Sequence, residues 1–147
     1  MDRIYDLNQV AMMTGFTTRT LRNYLNQGLL KGNKENGAWQ FSAEELEKFF
    51  NEPFVKEGLR IKRSSAVFDF LADRNRKDGR TCIILDIPCG MIEGQQLSDF
   101  FCQQMEEVKD VNFNFDWDNN KSRIIITGAS DQVEKIMKAY YIKKHNN

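Results

Sequence analysis

The 147-residue chain carries 21 Lys/Arg against 21 Asp/Glu, with 41% hydrophobic and 29% charged residues. That balance describes a globular protein of one ordinary domain or two small ones. No apolar run approaches the roughly 20 residues of a bilayer span, and MDRIYDLNQV lacks the basic-then-apolar layout of a secretion signal, so a cytoplasmic protein without membrane contact is expected.

Asp6 with Gln9 three residues later forms a capping-box signature, and Leu7, Val10 and Ala11 follow at helical spacing before Thr14-Gly15 stops the helix. Thr17 is a good N-cap for a second helix, with Phe16 and Leu21 placed as a hydrophobic staple and Gly28 at its left-handed end. Leu21, Tyr24 and Leu25 lie on the side of this helix that can enter a core. Arg19, Arg22, Asn23 and Asn26 fall at i, i+3, i+4 and i+7 and make one polar stripe. Residues 29–41, LLKGNKENGAWQF, read as a short hairpin with a basic tip, Lys31 and Lys34 flanking Gly32-Asn33. Ser42 and Glu45 repeat the capping box for a third helix. Leu46, Phe49 and Phe50 face inward, and Asn51-Glu52-Pro53 ends it.

Helix, three-residue turn, helix, hairpin, helix is the outline of a winged helix-turn-helix. YDLNQVAMMTGFTTRTLRNYLNQGLL followed by GAWQFSAEEL resembles the DNA-binding domain of the MerR family and its excisionase-like relatives, over residues 4 to about 51. The matching positions are Val10-Ala11, Thr14-Gly15, Thr20-Leu21-Arg22, Tyr24, Gly28-Leu29-Leu30 and Phe41-Ser42. Three positions depart from the family pattern: Asn23 replaces the first of its paired tyrosines, Leu25 stands in place of the acidic residue that follows them, and Trp39 stands where many members have arginine.

A recognition helix must bury one side while the other enters the major groove, where Arg suits guanine or phosphate and Asn suits adenine or phosphate. Thr17 and Thr18, at the helix start, are placed to donate to phosphate beside free backbone N–H groups. The resemblance implies backbone contacts from Arg22 and Tyr24. Thr18, Arg19 and Asn23 are better placed for bases. Lys31 and Lys34 are expected on the DNA backbone, with Trp39 either at the DNA or bracing the wing. Residues 1–63 carry ten Lys/Arg against eight Asp/Glu, so any DNA-binding charge must be concentrated on one face.

Residues 54–63, FVKEGLRIKR, with Gly58, read as a linker between a domain over 1–53 and another over 64–147. Ser64 is placed to cap a helix reaching Arg76, with Ala66, Val67, Phe70 and Leu71 on one face. It is too short for the coiled coil usual in MerR proteins. TCIILDIP is a continuous apolar strand, followed by a helix through Leu97, Phe100, Phe101, Met105 and Val108. NFNFDWD alternates, with Phe113, Phe115 and Trp117 on one face, and Asp118-Asn119-Asn120 turns it into the strand SRIIITG. Asp131 with Glu134 is expected to cap a last helix on Val133, Ile136, Met137 and Tyr140.

The fold class expected is α+β: a winged helix-turn-helix joined to a small α/β module whose three-stranded sheet, in the order first, third, second, carries helices on one face. Cys82, Cys89 and Cys102 match no zinc spacing, and the single histidine, His145, lies in a polar tail, so neither metal nor cofactor is expected. Cys82 and Cys102 fit buried apolar positions. Asp86, Glu93 and Asp99 have no histidine or phosphate loop near them in the chain, so no catalytic set is expected. The expected function is a sequence-specific transcriptional regulator binding double-stranded DNA as a homodimer. Its second module would dimerise, sense a small-molecule effector, or both. An excisionase-like architectural factor and a protein-binding adaptor are the alternatives.

Overall fold

The computed structural model describes residues 4–74, 76, 78–117 and 120–146, with residues 91 and 117 described in their backbone alone. A short strand β1 (Ile4–Asp6) leads into α1 (Leu7–Thr14), and a three-residue turn into α2 (Thr18–Gln27). The caps act as the sequence predicts. Asp6 Oδ1 accepts from the Gln9 N–H at 2.8 Å while the Gln9 side chain accepts from the Asp6 N–H at 2.9 Å. Gly15 and Gly28 end the two helices in the left-handed region, each at φ 77°.

The hairpin is β2 (Asn33–Glu35) and β3 (Ala38–Ser42), to which β1 adds on the far side of β3, all antiparallel. Its tip is Asn36-Gly37, with φ of 51° and 80°, rather than Gly32-Asn33. Two consecutive positive φ angles define the two-residue turn that matches strand twist. Gly32 is needed for another reason: a Cβ there would meet the Phe41 ring at 2.5 Å. The Ser42–Glu45 capping box then starts α3 (Ala43–Asn51), which buries Leu46, Phe49 and Phe50.

Residues 54–63, expected as a linker, are helical. They form the first half of α4 (Pro53–Ala72), and Ser64, expected as a cap, lies in mid-helix. Pro53 ends α3 and also opens α4, since the first helical position tolerates a missing N–H. Gly58 lets the helix approach Phe16, whose ring a Cβ would meet at 3.3 Å. Val55 and Leu59 are buried, and Arg63, Ala66 and Phe70 continue the inward side half-buried. Phe54, Ile61, Phe68 and Leu71 point outward and are exposed.

The second sheet is built from β4 (Arg80–Pro88), β5 (Val111–Trp117) and β6 (Lys121–Ala129), antiparallel in the order β4-β6-β5. Helices α5 (Met91–Glu106) and α6 (Ser130–His145) cover one face. There Phe113 and Phe115 stand opposite Ile126 and Ile124, and Phe101 stacks between Phe113 and Tyr140. The expected third aromatic, the Trp117 side chain, and turn residues 118–119 lie outside the described residues. The last helix begins at Ser130 rather than behind an Asp131 cap; Asp131 lies in its first turn. Cys102 and Cys89 are buried, while Cys82 is half-buried on the sheet.

Helix α4 lies against the other face. Register places Asp86, Arg123 and Asp116 in one row across this face. Arg123 grips Asp86 through two bonds of 2.6 and 2.8 Å, and Arg63 of α4 reaches Asp116 at 3.5 Å, so the charges alternate from strand edge to helix. The two halves share one buried core. Helix α1 packs along β5 and against α5, where the fully buried Ser98 hydroxyl donates to the Met13 sulfur at 2.9 Å.

Candidate nucleic-acid interface

The helix-turn-helix is set by its buried side. Leu21 is fully buried, and the Tyr24 ring packs edge-on against Phe16 at 5.5 Å and tilted against Phe49 at 5.6 Å. Tyr24 therefore belongs with the core rather than the polar stripe. Its hydroxyl lies beside Gly58 of α4, and burial raises its pKa above that of an ordinary phenol.

Fixing that side leaves Arg19, Arg22, Asn23 and Asn26 exposed together along the opposite side of α2. Helices α1 and α2 contain no acidic residue, and Arg19 and Arg22 are their only charges. Of the eight acidic residues in 1–63, Glu44, Glu45, Glu47 and Glu57 lie on α3 and α4. The modest net charge thus resolves into a purely cationic surface on α2. Thr17 caps the helix: its hydroxyl accepts from the Thr20 N–H at 3.1 Å and donates to the Thr20 hydroxyl at 3.0 Å. Thr18, half-buried, starts the helix one residue on.

On the hairpin, Lys34 and Trp39 face each other across the strands, and the Lys34 ammonium sits 5.7 Å from the indole centroid, within cation–π range. Trp39 in turn stacks on the buried Phe41 at 6.3 Å with 13° between the planes. Lys31 is exposed but precedes β2, away from the tip. The projecting tip residues are Asn36 and Gly37. The sequence signal for them was the Asn-Gly pair itself, a strong two-residue hairpin marker.

The architecture defines a helix-turn-helix protein with an added α/β module. Residues 5–67 match the model of the MerR HTH family regulatory proteins, and this segment is a MerR-type helix-turn-helix region. The match ends inside α4. No curated protein and no solved structure matches the chain. Among the described residues no helix is long and apolar enough to cross a membrane, and no three His, Cys, Asp or Glu residues group as a metal site.

Proposed function

We propose that the protein is a sequence-specific DNA-binding transcriptional regulator that acts as a homodimer. The observation carrying this reading is the α2 stripe, in which two guanidinium groups and two carboxamides stand exposed on a helix anchored by Leu21 and Tyr24. That pairing of chemistries serves phosphate and base edges together. In this reading Arg22 holds phosphate, Arg19, Asn23 and Thr18 address bases, and Thr17 orders the helix start. The β2–β3 hairpin is the wing, with Lys31 and Lys34 toward the backbone. Tyr24 and Trp39 support the surface from behind.

The dimer reading rests on α4. Phe54, Ile61 and Phe68 recur every seven residues and stay more than half exposed, with Leu71 beside them. Such a stripe on a 20-residue helix suits pairing with its own copy. The β4 edge, with Ile84 exposed on it, is the second surface available. Two copies related by a two-fold axis would offer two recognition helices to a near-palindromic site.

Selection of bound duplexes from sheared genomic DNA by the full-length protein tests the reading. A shared, near-palindromic motif is expected, and Asn23→Ala should relax one base position at a cost of about 1–3 kcal/mol. Recovery of DNA without sequence enrichment would point to an architectural role, and no recovery at all to an adaptor.

A further inference from the structure

A groove of about 610 Å³ lies where α4, the end of α1 and the second face of the C-terminal sheet meet. Its size is that of a small-molecule site. Three features of its lining select a ligand class.

The first is the floor. Asn112 and Thr127 stand directly opposite one another on β5 and β6, and Asn114 lies two positions along the same face. None of these three side chains has a protein hydrogen-bond partner among the described residues. A carboxamide offers a donor beside an acceptor, and its complement is an N–H next to a C=O.

The second feature is a flat platform. The Arg76 guanidinium lies 3.9 Å from the centroid of the Phe70 ring, and Met12 and Ala66 add apolar wall. Stacked guanidinium and aromatic groups favour planar partners.

The third is charge. Lys62, Arg76 and Arg80 line the groove with Asp69 and Asp73. Arg80 is held by Asp110 at 2.7 Å and Arg76 lies 3.9 Å from Asp73. Lys62 and Asp69 remain, one of each sign, which disfavours a ligand with net charge of either kind.

We infer that this groove binds an uncharged, flat ring compound with an amide-type edge, of the nucleobase or lactam class. Because α1, α4 and the sheet all contribute, an occupant touches both halves of the molecule. Binding is independent of whether the α2 surface engages DNA, and it is measured without DNA.

The test is calorimetric titration of the full chain with inosine, and with N-methylated inosine whose lactam N–H is blocked. Inosine should bind saturably, and blocking the edge should weaken it about tenfold or more, or about 1.4 kcal/mol. Asn112→Leu should weaken inosine by a similar factor. Asn112→Asp, which keeps the size and loses the donor, should do the same, and guards against a folding defect in the leucine variant. The inference is overturned if inosine shows no saturable binding, if the methylated compound binds equally well, or if both folded Asn112 variants bind like the parent.

Discussion

Replacing Met13 by alanine should destabilise both halves of the molecule together. Met13 is 1% exposed on α1, yet its sulfur accepts a hydrogen bond from the Ser98 hydroxyl on α5. Truncating a buried methionine costs about 2–5 kcal/mol. The stranded Ser98 hydroxyl, itself fully buried, adds about 1–3 kcal/mol. A total of about 3–8 kcal/mol is a large share of the roughly 5–15 kcal/mol that stabilises a domain. At a urea dependence of about 2 kcal/mol per molar, the midpoint should fall by roughly 1.5–4 M. The two tryptophans report on different halves, Trp39 on the hairpin and Trp117 on β5. Urea unfolding of Trp117→Phe and Trp39→Phe backgrounds therefore reads each half alone. Coincident transitions are expected, and Met13→Ala should shift both by the same amount. Met13→Leu, which keeps most of the volume, should shift both less. A variant that moves the Trp39 transition and leaves the Trp117 transition in place would refute the shared core.

Four further expectations follow from the same contacts. Phe68→Glu should weaken self-association in analytical ultracentrifugation while leaving the melting temperature within a degree or two, because Phe68 is 71% exposed; an unchanged dimer, or no dimer in the parent, contradicts the α4 contact. Lys34→Ala should lower DNA affinity with little loss of stability, whereas Trp39→Ala, by uncovering Phe41, should lower both in thermal melts. Gly128→Ala should cost about 1–3 kcal/mol in urea unfolding, since a Cβ there meets the Asp110 carbonyl and Val111 Cα; a neutral effect would contradict the β5–β6 spacing. Asp86 is held below the usual carboxylate range by its hydrogen bonds to the Arg123 guanidinium, with that group's charge aiding. A depressed folded-state value means the contribution is complete above about pH 4, where unfolded Asp titrates, and is lost as pH falls through the folded value. Asp86→Asn should therefore flatten the fall of the urea midpoint below about pH 4; identical slopes would refute the pair's contribution.

The helix-turn-helix was legible because its signals are local. Asp6/Gln9, Thr17, Gly28 and Ser42/Glu45 each act within a single helical turn, and each forms the cap its spacing predicts. Helix α4 was less legible because both of its sides are apolar. Val55 and Leu59 face the core while Phe54, Ile61 and Phe68 face out, which blurs the 3.6-residue period. Gly58 and Pro53 are ordinary breaking signals, but here one permits close packing on Phe16 and the other opens the helix. The pairing of β5 with β6 could be read from hydrophobic alternation and the short turn between them, and the place of β4 beside β6 from a split β-α-β arrangement. The contact of α1 with β5 and α5 could not, because Met13 and Ser98 are far apart in sequence and neither residue type announces the other. In the candidate interface, the stripe of Arg19, Arg22, Asn23 and Asn26 followed from helical geometry alone. The burial of Tyr24 and the seat of Lys34 on Trp39 depend on tertiary packing and strand register.

The salt dependence of duplex binding tests the central proposal most directly. Fluorescence anisotropy with a labelled duplex carrying the selected motif gives the affinity of the parent and of Arg22→Ala at several salt concentrations. Each phosphate contact contributes about 0.9 to the logarithmic salt slope. Removing the Arg22 guanidinium, exposed on α2 and outside the core, should weaken binding to all sequences and reduce that slope by about one. An Arg22→Ala protein that binds every duplex with the parent's affinity and slope would contradict the assignment of α2 as the DNA-reading surface.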